Sequence, residues 1–145
     1  MYKHILVPTD GTELSDKAIA HGVSLAKAVG ATITGLTVSP PFHAFAVDPM
    51  MVADTPEAYR DHVWRAATKR LAKVRSAAEA AGVTCDTLHV ENDHPYEAII
   101  DTAKTRACDL IVMASHGRRG LSAILLGSET VKVLTHSDIP VLVCR

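Results

Sequence analysis

"DLIVMASHGRRGLSAILLGSETVKVLTHSDIPVLVC", residues 109–144, holds two short apolar runs, "DLIVMA" (109–114) and "IPVLVC" (139–144). Between them lie a loop rich in glycine and hydroxyl side chains and a stretch, 128–136, with helical spacing. Two strands joined through a helix read as a parallel pair covered by its crossover rather than a hairpin. Working outward from this unit, the same alternation recurs to the amino terminus.

"HILVPTD" is a short apolar run broken by a proline and reads as a buried first strand. Ser15 is the expected cap of the helix after it. Ala18, Ile19, Gly22, Val23, Ala26 and Val29 form its apolar face, and Gly30 stands where a left-handed helix end is wanted. "ATITGLTV" (31–38) is β-branched and reads as the second strand. Residues 39–54 carry three prolines and no clear period, so they form a long loop, of the kind that is usually functional or mobile. Thr55-Pro56 opens the strongest helix, in which Val63, Ala67, Leu71, Val74, Ala78 and Ala81 make a stripe ended by Gly82. "VTCDTLHV" (83–90) alternates as a third strand, and His94-Pro95 begins a helix carrying Ile99, Ile100 and Ala103. The expected fold is α/β: one domain over 1–145, an open, doubly wound sheet of five parallel strands with helices on both faces. Ligands of such sheets bind beyond the carboxyl ends of the strands, where strand order reverses. "PTDG", "TVSPP" and "MASHG" line that crevice.

Composition narrows the function. A chain of 145 residues, 48% hydrophobic, buries one sizeable core. A formal charge of −1 gives no overall field favouring nucleic acid or an anionic membrane. Cys85, Cys108 and Cys144 are odd in number and contain no CxxC pair, which suits a reducing cytosol. "MYKHILVPTDG" offers no basic segment followed by a long apolar one, and no other run has the length of a membrane span. The expectation is a cytoplasmic protein with neither nucleic-acid nor membrane partners.

The loop of the opening stretch has the chemistry of an anion cradle. Glycines let backbone N–H groups converge on phosphate oxygens, and a helix amino terminus adds unpaired N–H groups and partial positive charge. Gly117, Gly120, Gly127, Ser128 and Thr130 supply the backbone and the hydroxyls. No Gly-Lys pair and no GxGxxG occur, so neither the P-loop nor the dinucleotide fingerprint is present. On composition alone, turn glycines with a cap at Ser128 explain the loop equally well.

"ILVPTDGTELSDKAI" and "MASHGRRGLSAILLGSETVKVLTHSDIPVLVCR" resemble the universal stress protein family across essentially the whole chain. Nucleotide-binding members of that family share a Gly-x2-Gly-x9-Gly-(Ser/Thr) motif. Here it falls on Gly117 and Gly127-Ser128, with Ala114 in place of the first glycine. The resemblance implies strand order 3-2-1-4-5, a homodimer formed through the C-terminal strand 139–144, and ATP or a related adenine nucleotide as ligand, with or without Mg²⁺. It also implies roles. Pro8, Thr9 and Asp10 meet the adenosine, with Asp10 accepting from the ribose hydroxyls; Val38 meets the adenine. Met113 and Ala114 lie along the nucleotide, while Gly117, Gly127, Ser128, Glu129 and Thr130 surround the phosphates. If the first glycine serves a positive φ, alanine costs on the order of a kcal/mol or more; if it serves only closeness, a methyl narrows the pocket. Glu129 would repel a triphosphate unless a divalent cation intervened, and Arg118 and Arg119 could offset it.

Other residues carry less. The eight histidines show no HExxH and no helical pairing with a carboxylate, so no metal site is expected. His116 stands near the loop, with a role in turn geometry equally open. Asp10 could instead brace the turn at Gly11. Trp64 is expected beside the helical stripe, and Cys108 and Cys144 in the core. No Ser-His-Asp arrangement or GxSxG elbow supplies a nucleophile, so no catalytic residue is named. Three functions remain: a nucleotide-binding sensor or switch of the stress response with at most slow hydrolysis, an interaction protein whose pocket stays empty, and a weak ATPase or phosphoryl transferase.

Overall fold

In the computed structural model, which describes residues 1–43, 55–117 and 126–145, strands and helices alternate. They are β1 (His4–Pro8), α1 (Glu13–Val29), β2 (Thr32–Ser39), α2 (Pro56–Ala81), β3 (Cys85–Glu91), α3 (Pro95–Thr105), β4 (Leu110–Ala114), α4 (Ser128–His136) and β5 (Val141–Cys144). The strands form one sheet in the order β3-β2-β1-β4-β5, every neighbouring pair parallel. Strand order reverses between β1 and β4, as the resemblance implied, and the parallel sheet is the one the alternation implied.

The continuous apolar runs follow from burial on both faces. Ile5 and Val7 of β1 and Leu110 and Val112 of β4 point into one core with Ala18, Val23 and Ala26 of α1 and Val74 and Ala78 of α2. Leu6, Ile111 and Met113 point the other way, among Ile99 and Ala103 of α3 and Val133 of α4. Leu6 and Ile111 are wholly buried, and each such side chain contributes about 2 kcal/mol.

Several expectations shift in detail. Thr12, not Ser15, caps α1: its hydroxyl accepts the Ser15 N–H at 3.2 Å, while Ser15 is buried inside the first turn. Val29, the last residue of α1, is exposed, whereas Ala26 one turn earlier is buried. Thr55 caps α2, and Gly30 and Gly82 (φ 72° each) end α1 and α2 as expected. Only Ala67, Val74 and Ala78 of the α2 stripe are buried, joined by Tyr59. Among the described residues, the helix packs on β2, on the edge strand β3 and on α1. Trp64 stands 57% exposed, its ring edge-on to His89 at 5.0 Å.

Cys108 and Cys144 are buried as expected. Burial, with Asp109 adding to it, pushes the Cys108 thiol up to about 11, so it is a protonated core side chain at neutral pH.

Asp109 fastens the two central strands. Its carboxylate accepts the backbone N–H of Lys3 at 2.8 Å and of His4 at 3.0 Å. Burial alone would raise its pKa, but those N–H groups outweigh it and hold the carboxyl below its ordinary value. A depressed folded-state pKa gives stability that is present above the unfolded value and lost as pH falls through the folded one. Asp109→Asn is therefore expected to cost about 1 kcal/mol near neutral pH. Urea titrations from pH 7 to pH 2.5 should show the gap from wild type closing on the acid side; a gap independent of pH would contradict this account.

Candidate functional site

The carboxyl end of β1 is organised by its own hydroxyls. The Thr9 N–H donates to the Leu36 carbonyl at 2.8 Å, and the Thr37 hydroxyl donates to the Thr9 carbonyl at 2.9 Å. The Thr9 hydroxyl lies 3.1 Å from that of Ser15 and accepts the Gly11 N–H at 3.3 Å. Pro8, in register with Leu36, ends the strand. Asp10 follows, and its Oδ1 accepts the Thr12 N–H at 3.0 Å and the Thr12 hydroxyl at 2.6 Å. The turn-bracing reading of Asp10 thus holds for one oxygen, Oδ1, and the other oxygen takes no part in those two bonds.

That second oxygen faces the end of β4. A Cβ built on Gly117 would lie 2.7 Å from Asp10 Oδ2, so Asp10 and Gly117, more than a hundred residues apart in sequence, meet across the strand-order reversal. Gly127 closes the same end from the other direction. Its N–H donates to the Ser115 carbonyl at 2.7 Å, and a Cβ there would come within 3.0 Å of His116 Cα. Gly127 is also the cap of α4, and it has no side chain with which to bond the helix N–H groups. Gly127 therefore gives the first-turn N–H groups of Ser128, Glu129 and Thr130 no side-chain cap, and such groups at a helix start are suited to an anionic acceptor.

The side chains at the helix start divide by role. Ser128 is exposed. Thr130 is buried, and its hydroxyl donates to the Ala114 carbonyl at 3.0 Å, so it braces β4. Glu129 turns from the loop toward α3. Its Oε2 accepts the Tyr96 N–H at 3.0 Å and its Oε1 accepts from Lys132 at 3.2 Å. It thus caps α3, whose own cap residue His94 makes no side-chain bond. The expected repulsion between Glu129 and an anion is blunted by this geometry. Met113 is buried in the second core, and Ala114 sits in register with Cys144 and packs against the first core. Ala107 is the positive-φ residue other than glycine among the described residues, so the alanine at 114 carries no left-handed strain. His116 holds its Nδ1 3.3 Å from the Ser115 hydroxyl, consistent with a role in the turn.

Val38 belongs to the second core through its side chain. Its backbone matters more. Leu36 directs its carbonyl to β1, whereas Ser39 directs its own to β3. By the two-residue alternation, Val38 points its N–H and C=O to the β1 side, past Pro8 where β1 has ended. An edge with one donor and one acceptor is thereby presented above the end of β1.

Arg118, Arg119, Gly120 and residues 44–54 lie outside the described residues. The first part of the long loop is pinned: the Tyr59 hydroxyl donates to the Pro40 carbonyl at 2.9 Å, and Phe42 packs on Tyr59 at 5.3 Å. His43 lies 2.6 Å from Asp93. Among the described residues no group of three or more His, Cys, Asp or Glu is placed to hold a metal ion. Sequence reading missed Thr12, Thr37 and Arg70. The side chain of Arg70 crosses Gly11, its Nε 3.0 Å from where a Cβ at Gly11 would stand. Burial holds the nearby His89 imidazole below its ordinary value, with Glu91 opposing and Arg70 adding to the depression.

Comparison with known proteins gives this geometry a context. The model of the universal stress protein family matches residues 1–145. Universal stress protein MJ0531 of Methanocaldococcus jannaschii is 32% identical, covering 100% of this chain and 83% of its own length. The structure of MJ0577, from the same organism, superposes with a TM-score of 0.83 at 28% identity, covering 99% of this chain and 96% of that one. Two more distant structures share the fold. One is a universal stress protein in complex with cAMP (22% identity, TM-score 0.69, 98% and 95% covered). The other is the Archaeoglobus fulgidus protein in complex with dAMP (16%, 0.71, 99% and 98%).

Proposed function

The chain belongs to the universal stress protein family, and from that premise we propose that it binds ATP or a related adenine nucleotide as a cytoplasmic sensor or switch of the stress response. The observation that carries this reading is the meeting of Asp10 Oδ2 with Gly117 at the carboxyl ends of β1 and β4. A carboxylate oxygen beside a site kept clear by glycine suits the paired hydroxyls of a ribose. Val38 offers its N–H and C=O to the edge of an adenine. Pro8 and Thr9 form the floor, and Met113 and Ala114 the end of the neighbouring strand. Gly117, Gly127, Ser128 and the first-turn N–H groups through Glu129 and Thr130 hold the phosphates. The cAMP and dAMP complexes of distant relatives support the ligand class.

A Mg²⁺ ion would be carried by the phosphates, neutralising their charge, since Glu129 is engaged with Tyr96 and Lys132. The reading is binding with at most slow hydrolysis: Asp10 Oδ1 is held by Thr12, and neither carboxylate is poised as a base. Titration calorimetry with ATP and with adenosine, each with and without Mg²⁺, tests it. Affinity tighter than millimolar is expected, and none at that level under any of these conditions rejects the proposal.

The same reading includes a homodimer through β5. That strand lies at the sheet edge and leaves Leu142 42% exposed, with Val131 and Leu134 of α4 exposed to similar extents. Pairing two such edges about a two-fold axis buries them. Leu142→Arg is expected to convert dimer to monomer at micromolar concentration while costing the protomer no more than about 0.5 kcal/mol. Light scattering over a dilution series decides the matter; a monomeric wild type, or an unchanged dimer in the variant, counts against this interface.

A further inference from the structure

We propose that Arg70 is a ligand-binding residue, its guanidinium forming the α2-side wall of the nucleotide site and lying flat against the base. The inference rests on the nucleotide reading above and assigns the base its partner. Four observations converge on it. Arg70 Nε, Cγ and Cδ lie 3.0, 3.1 and 3.4 Å from the place a Cβ on Gly11 would occupy, so the side chain is laid across the turn that follows Asp10. Gly11 has φ 81°, and glycine there meets two needs together: the left-handed backbone and the passage of Arg70. Arg70 is half-buried, with its stem and Nε packed between α2 and the turn. Finally, α2 covers β2 and β3 whereas Gly117 follows β4. The Asp10–Thr12 turn is therefore flanked by Arg70 on the β2 side and by Gly117 on the β4 side.

The β2 side is the one on which Val38 presents its backbone edge over the end of β1. A base reading that edge has one face toward α2, where a planar guanidinium stacks favourably and a lysine ammonium does so less well. Phosphates, in contrast, lie toward Gly117 and the start of α4. Arg70 accordingly serves the base, common to adenosine and ATP, rather than the triphosphate.

Three proteins test this by calorimetry with adenosine and with ATP: wild type, Arg70→Met, which keeps the aliphatic stem across Gly11, and Arg70→Lys, which keeps charge without the plane. Arg70→Met is expected to weaken both ligands by about fivefold to tenfold and to equal extents. Arg70→Lys should recover only a minor part, and the melting temperature of the ligand-free protein should stay within roughly two degrees of wild type. Loss confined to ATP overturns the assignment to the base, as does unchanged affinity for both. Weakened binding with a large fall in melting temperature also overturns it, by showing a structural role. A wild type that binds neither ligand rejects the nucleotide reading itself and this inference with it.

Discussion

Gly35→Val is expected to destabilise the protein by about 2–3 kcal/mol, a fall in melting temperature of roughly 6–10 °C. Gly35 sits within β2, in register with Val7 on one side and Thr87 on the other, and is buried. A Cβ there would come 2.9 Å from Val74 Cγ1 and 3.1 Å from Val74 Cβ. Neither side yields easily, because β2 is hydrogen-bonded to both neighbours and Val74, on the sheet-facing side of α2, is wholly buried. The missing side chain is what lets α2 settle onto the sheet, and that approach also carries Arg70 over Gly11. Val74→Ala alone should cost about 2 kcal/mol through its cavity. The double variant should be more stable than the sum of the two, by roughly 1–2 kcal/mol, because each change relieves the other. Urea unfolding of all four proteins checks the cycle. Strict additivity would mean that Gly35 and Val74 do not share this space.

Residues 109–144 made the fold legible because β4 and β5 are short, apolar and separated by a helix, a pattern with few parallel-sheet alternatives. Element ends were less legible for a local reason. "TDGTELS" offers two hydroxyl residues that could cap α1, and the choice fell to Thr12 because Ser15 is taken up by Thr9 and the Thr12 carbonyl. The candidate site was legible as a meeting place: Asp10, Gly117 and Gly127, picked out in the sequence, come together at the carboxyl ends of β1 and β4. It was illegible where a partner distant in sequence decides it. Glu129 beside a phosphate motif reads as a liability until Tyr96, thirty-three residues away, is seen to use its carboxylate. Arg70 carries no local signal at all, since it lies beside the α2 stripe as any solvated basic residue would. Only the fold reveals that Gly11 makes room for it.

Gly117→Val is expected to weaken ATP and adenosine binding by more than about a hundredfold, roughly 3 kcal/mol, with a smaller cost to the fold of about 1 kcal/mol from displacing the Asp10 carboxylate. Gly117 is exposed and its φ lies outside the left-handed region, so a side chain strains no backbone. The effect is one of space. The first carbon already falls 2.7 Å from Asp10 Oδ2, and that carboxylate cannot swing aside freely, because Oδ1 is held by both the N–H and the hydroxyl of Thr12. The two further methyls of valine then fill the crevice between β1 and β4. Gly117→Ala, adding one carbon, should fall between, at about a tenfold loss. The graded series separates the two principal readings of this protein. A nucleotide site responds in the order Gly, Ala, Val, with a loss of affinity larger than the fall in stability of the ligand-free protein accounts for. An interaction protein with an empty crevice would give the same partner affinity and the same ligand signal at all three.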